Sequence, residues 1–250
     1  MNDANFTEPD RVERCEKMRG NSGQFSFPDK QNISRDVVEY IKQLILSGEL
    51  NPGDRIVETR LARELGISQT PIREAMHQLS GEGIITIVPN KGPVVNELNK
   101  SDVFEIYSLR AAIEGLAIRI ATQIAPQEEI DKLEAFYMTM KEKSSDDSLD
   151  ALLKSSLHIH QSIISLSRHS RLIQTYESIS FQISLVNRIL GKESTNEKEV
   201  AQHYELIEAL KLRDPDNAEK VMRRHIYRSY REFIELDEEK NWEDGETLWF

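Results

Sequence analysis

Residues 67–95 read ISQTPIREAMHQLSGEGIITIVPNKGPVV. The stretch opens with polar side chains and passes into an apolar period at Ile72, Ala75, Met76 and Leu79. It breaks at Gly83 and ends in two short apolar runs around Asn90-Lys91-Gly92. The spacing predicts a helix and then a hairpin of Ile84–Val88 and Pro93–Val95. Ser68 or Thr70 is placed to cap the helix, and Pro71 falls in its first turn, where a missing N–H costs little.

The fold follows by working outward. Val37, Val38, Ile41, Leu44 and Ile45 mark an amphipathic helix that Gly48 and Pro52-Gly53 stop. Glu58–Leu65 predicts a second helix, with Leu61, Ala62 and Leu65 inward and Gly66 as its end. Helix, helix, tight turn, helix and hairpin make a winged helix-turn-helix, whose third helix has the size to enter a major groove. The start of that helix offers Ser68, Gln69, Thr70, Pro71 and Arg73 to base edges and phosphates. Thr59 and Arg60 open the second helix, where they suit the phosphate backbone, and Asn90, Lys91 and Gly92 form the wing tip. A solvated polar face would account for these residue types, but not for their gathering at one helix start and one hairpin tip.

The rest of the chain sets bounds. Its 250 residues are 38% hydrophobic and 30% charged, which fits a helix-rich globular protein. No apolar run approaches the roughly 20 residues of a membrane span. The polar N-terminus lacks a signal-peptide core, and Cys15, the single cysteine, suits a reducing compartment. The expectation is a cytoplasmic protein. Its net charge is -11, and residues 1–98 hold 12 basic and 15 acidic side chains. Contact with DNA therefore has to come from the placement of a few cations rather than from the average field.

Four segments result: a flexible extension at 1–32, the winged unit at 33–98, an all-helical unit at 99–240 and a tail at 241–250. The third segment predicts a bundle of six helices at 101–123, 126–143, 149–167, 170–190, 195–213 and 215–240. Ser101 is read as a cap, and Pro126 and Pro215 open their helices. Four polar side chains lie on apolar stripes of this bundle: Arg110, His160, His203 and His225. One such histidine is usually a satisfied core residue. Three on separate helices suit a divalent metal such as Zn or Ni. For Arg110 the plain alternative is an exposed pair with Glu114 one turn on.

Both halves resemble known families. From Leu44 and Gly48 the string GxLxPGxxIxExxLAxxLGISxTPIREAxxxLxxEGIIxxxPNKGxxV is similar to the DNA-binding domain of GntR-type bacterial transcription regulators. Gln69 stands where many of these carry Arg. A Gln pairs best with adenine and an Arg with guanine, so operator preference is open. Residues 101–235 resemble the FCD ligand-binding domain through RxxIExxA at 110–117, HxxIxxxSxxxxL at 160–172 and HxxLIEALxxRDxxxAxxxMxxHI at 203–226. The resemblance implies a divalent metal on His160, His203 and His225, with a small carboxylate effector beside it at Arg110 and Ser156. It also implies a homodimer on a double-stranded DNA operator.

Two positions depart from that pattern. Ser156 occupies the place of an aspartate ligand, and His169 a place where relatives often have Asn. His158 cannot replace the aspartate, being about 200° round the helix from His160. Two readings of the cavity stay open: a three-histidine metal site, and a metal-free pocket that binds an anion through Arg110. The alternative function is an enzyme, a metal-dependent hydrolase with Glu114 or Glu205 as base. HExxH, GxSxG and P-loop strings are absent from the sequence, and the regulator reading, without catalysis, is preferred.

Overall fold

The computed structural model describes residues 33–145, 148–190 and 195–235. The extension at 1–32, the tail at 241–250 and the end of the sixth predicted helix lie outside them. The chain divides into two compact units between Glu97 and Leu98. It is mainly α, with nine helices and one two-stranded sheet among the described residues. None of those helices is long and apolar enough to cross a membrane.

In the first unit α1 (Ile33–Ser47) buries Val37, Val38, Ile41 and Ile45. It ends at Gly48, whose φ of 81° lies in the left-handed region that favours glycine. Helix α2 (Glu58–Leu65) closes on Gly66 in the same conformation. Helix α3 (Gln69–Gly81) turns Ile72, Ala75, Met76 and Leu79 into the core. Ser68 holds the extended N-cap conformation without a side-chain cap bond, and Thr70 lies inside the helix rather than at its cap. The expected cap is therefore absent, and the first-turn N–H groups of α3 are not satisfied by it.

Strands β1 (Ile85–Val88) and β2 (Gly92–Val95) pair antiparallel, Ile85 opposite Val95 and Val88 opposite Gly92. A third segment joins them. Arg55 bridges Val94, and Gly53 N–H and Ile56 N–H donate to Val95 O and Pro93 O, both at 2.9 Å. The residues after Pro52-Gly53 show no apolar alternation, so the sequence did not announce this pairing.

The second unit consists of α4 (Lys100–Ile124), α5 (Gln127–Lys143), α6 (Leu149–Leu166), α7 (Ser170–Leu190), α8 (Asn196–Leu212) and α9 (Pro215–Glu235). Helix α4 is central, packing against α6, α7, α8 and most extensively α9. It serves two apolar clusters, with Val103, Tyr107, Ala111 and Ile118 in one and Ile113 and Ala117 in the other. That explains why it is apolar nearly all round. At Gly115 a Cβ would meet Arg223 Cγ of α9 at 3.1 Å, so glycine permits this close crossing.

The start of α4 corrects one expectation. Asn99, not Ser101, is the cap: Asn99 Oδ1 accepts Asp102 N–H at 3.0 Å, and Asp102 Oδ2 accepts Asn99 N–H at 2.9 Å. The acid three residues on makes Asn99 one half of a reciprocal capping box. At the other end Arg213 donates to Thr122 O and Ala125 O, covering carbonyls that the last turn leaves over.

Candidate functional site

Two groups of polar side chains stand out, one in each unit. In the first, Ser68, Gln69, Thr70 and Arg73 are exposed at the start of α3, with Pro71 partly covered. Arg73 joins two helices. Its Nε donates to Glu58 Oε2 at 3.2 Å and its Nη2 to Gln69 Oε1 at 3.3 Å. The α2 start, which carries Thr59 and Arg60, thus lies beside the α3 start. Thr59 and Arg60 are both exposed, and Arg60 is bonded to Glu64 at 2.7 Å. Asn90 and Lys91 are exposed at the wing turn, where Asn90 takes φ 61° and Gly92 φ 87°. Sequence reading passed over Arg55, an exposed cation whose guanidinium lies 3.8 Å from where a Cβ on Gly92 would be.

In the second unit the structure brings together the polar residues of the apolar stripes. His160 on α6, His203 on α8 and His225 on α9 are buried, with ring centroids 4.8–5.3 Å apart. Each offers one ligand atom, and the three atoms lie within 4.8 Å of one another. They line a cavity of about 30 Å³ with Arg110, Ser156 and Glu199.

The Nδ1 of every one of these rings already has a partner. His160 Nδ1 lies 2.5 Å from Glu114 Oε2, His203 Nδ1 2.6 Å from the Glu199 backbone O, and His225 Nδ1 3.3 Å from Glu205 Oε1. All three partners are acceptors, so a neutral ring places its proton on Nδ1 and leaves Nε2 as a lone pair. Burial, first among the causes, holds the rings neutral, depressing His160 and His225 to about 4 and His203 to about 3. Three neutral imidazoles, each oriented by an acceptor behind it, are a donor set that fits Zn or Ni.

The Arg110–Glu114 pair forms but is not the exposed one considered above. Its side chains are 3% and 0% exposed, and Glu114 bonds Arg110 Nε through one oxygen and His160 through the other. Although burial alone would raise it, the Arg110 and His160 partners hold the Glu114 carboxyl at about 2. Glu205 likewise bonds both His225 and Arg228. The Ser156 hydroxyl donates to Glu199 Oε2 at 3.3 Å.

The other histidines have separate places. His158 is half-buried with its ring 4.5 Å from that of Phe136. His169 Nδ1 accepts Leu172 N–H at 3.2 Å, doing at the start of α7 what an Asn cap does. His77 is exposed on α3. Sequence reading missed what Glu199 contributes, although its place one turn before His203 was a signal.

Comparison with known proteins bears on both units. The pattern of bacterial regulatory proteins of the gntR family matches residues 33–95, and that of the FCD domain matches residues 105–228. The Nta operon transcriptional regulator of Aminobacter aminovorans is 32% identical over 193 residues, covering 77% of this chain and 90% of that protein. The HTH-type transcriptional repressor RspR of Escherichia coli is 23% identical over 197 residues, 78% of this chain and 86% of its own. The structure of E. coli McbR/YncC has the same fold, with a TM-score of 0.69 at 19% identity over 82% of this chain and 98% of that one. The winged helix-turn-helix and the helical bundle are thus those of one family, and the chain belongs to the GntR transcriptional regulators that carry an FCD domain.

Proposed function

We propose that this regulator binds a two-fold DNA operator as a cytoplasmic homodimer and that its FCD domain senses a small carboxylate through Arg110 and a divalent metal. In this reading residues 33–98 bind DNA and residues 99–240 bind the effector. The observation that carries it is the convergence of three neutral imidazoles, each with Nδ1 engaged, beside a buried arginine. His160, His203 and His225 would hold the ion, which when bound supplies a fixed positive charge and an open position for a carboxylate oxygen. Arg110 spends Nε on Glu114 and keeps further donors for the same carboxylate. Ser156 adds a hydroxyl to the wall.

The cavity supports a small effector. A water needs about 10–15 Å³ of such space, so about 30 Å³ takes an ion and a carboxylate oxygen before the walls must move. That movement is the basis of a switch, because a ligand shifts DNA binding only by preferring one of two arrangements. Arg110 and Glu114 sit on α4, which starts at Lys100, soon after β2 ends at Val95, so a shift of α4 reaches the winged unit through a short connection.

On the DNA side, Arg73, Gln69, Ser68 and Thr70 would meet the major groove while Thr59, Arg60, Pro71 and the wing residues Asn90, Lys91 and Gly92 meet the backbone or the adjacent groove. One short helix gives few base contacts, which favours two copies on a palindrome. Leu109 and Leu116 support the dimer: two turns apart on α4, they are 43% and 41% exposed. The hydrolase alternative loses support, since Glu114 and Glu205 are both committed to ion pairs.

The test is a gel shift on DNA upstream of the gene with a panel of organic acids, run beside elemental analysis of the purified protein. Retarded DNA released by one acid class is the expected result. Absence of any specific complex refutes the DNA reading, and protein that takes up neither Zn nor Ni refutes the metal.

A further inference from the structure

Three neutral imidazoles bring no negative charge to a divalent ion, and a carboxylate would strengthen the site. Four glutamates lie around the cavity. Glu114 is committed to Arg110 and His160, and Glu205 to His225 and Arg228. Glu232 bonds Lys198 at 3.0 Å and Gln202 at 3.2 Å. Glu199 and Glu232 line the cavity, and of the two Glu199 stands one turn before His203 on α8 and accepts a bond from the Ser156 hydroxyl at 3.3 Å. Ser156 itself stands one turn before His160 on α6, and a hydroxyl is a poor metal ligand.

We propose that Glu199 is the carboxylate ligand of the metal site, delivered from α8 across to the place that Ser156 faces on α6. The inference rests on the metal reading above. Glu199 makes two contributions. Its backbone O accepts a hydrogen bond from His203 Nδ1–H at 2.6 Å and so aims that ring, while its side chain carries the charge. The carboxylate now rests on Ser156 rather than among the three ring nitrogens, and rotation about its side-chain bonds carries it to them. Residues i and i+4 on a helix are neighbours, so Glu199 and His203 can meet one ion without moving the backbone. A carboxylate built at position 156 would reach the same place, because the two side chains are already within hydrogen-bond distance.

The experiment measures Zn(II) and Co(II) affinity of the full chain by competition with a chromophoric chelator, together with the Co(II) absorption spectrum and the metal-free melting temperature. Glu199→Gln keeps the backbone acceptor and removes the charge. It should weaken both metals at least about tenfold, the lower end of what outer partners of a metal site are worth. It should also alter the Co(II) spectrum while leaving the metal-free melting temperature in place. Ser156→Asp added to Glu199→Gln should recover most of the affinity. If Glu199→Gln binds as the natural chain does while His203→Ala abolishes binding, the Glu199 assignment is wrong and the histidine site stands. The assignment also fails if Ser156→Asp rescues nothing, or if Glu199→Gln lowers the metal-free melting temperature along with affinity. A natural chain that binds neither metal overturns both this inference and the metal reading beneath it.

Discussion

Replacing Arg110 by Ala should destabilise the helical unit before it alters any signal. The guanidinium is 3% exposed and its partner Glu114 is fully buried. Removing one member of a buried pair leaves the other charge uncompensated, at a cost of about 3–5 kcal/mol. In a domain of this size that lowers the melting temperature by roughly 10 °C. Glu114 keeps one partner, His160 Nδ1 at 2.5 Å. With the arginine gone, one of the causes that hold that ring at about 4 is removed, and its folded pKa rises toward its unfolded value. The stability that the neutral ring costs the natural chain as pH falls below about 6.5 is then smaller in the variant, so the penalty should be smaller at pH 6 than at pH 8.

The assay is scanning calorimetry of the full chain, in chelator, for Arg110→Ala, Glu114→Gln and the double variant. With Glu114 already neutral, Arg110→Ala should cost far less, giving a coupling of at least about 2 kcal/mol between the two positions. A coupling below about 0.5 kcal/mol, or a penalty that does not depend on pH, would refute the buried Arg110–Glu114–His160 chain. The effector response of Arg110→Ala, expected to be lost with DNA binding retained, has to be read below its lowered melting temperature.

Three further outcomes follow from the same structure. The three buried histidines should make the metal-free protein acid-sensitive. Unfolded imidazoles protonate near 6.5 while these stay neutral to about 4 or 3, so stability present above 6.5 is lost as pH falls through that window, by up to about 1.4 kcal/mol per pH unit for each ring. A urea midpoint that is flat from pH 7 to 5 contradicts their burial as neutral rings. Arg73→Ala should weaken operator binding by about 1–3 kcal/mol, and Gln69→Arg should change sequence preference more than affinity; a selected operator bound equally well by the variant carrying both changes rules out this groove geometry. Leu109→Glu with Leu116→Glu should turn a sedimenting dimer into a monomer and weaken operator binding; a dimer that survives both changes removes α4 from the interface.

The winged unit was legible because its signals are local. Apolar spacing gives α1, α2 and α3, Gly66 and Gly83 punctuate them, and Pro-Asn-Lys-Gly sets the hairpin. The misses also have local causes. Ser101 looks like a cap only if Asn99 and Asp102 are not read together as a reciprocal pair. The pairing of residues 53–56 with the wing depends on a chain reversal that leaves no period in so short a segment.

The cavity was legible in a different way. A polar residue on an apolar stripe is visible from one helix at a time, and that is enough to single out Arg110, His160, His203 and His225. What orients these histidines is the acceptor behind each ring, and two of those acceptors come from another helix: Glu114 of α4 for His160 and Glu205 of α8 for His225. No periodicity within α6 or α9 encodes them. Only the Glu199 carbonyl behind His203 is local, one turn back on α8. Glu114 shows why the distinction matters. Read along α4 it is a partner for Arg110 worth a few tenths of a kcal/mol at the surface. Buried and shared with His160, it ties a cavity histidine to the central helix of the domain.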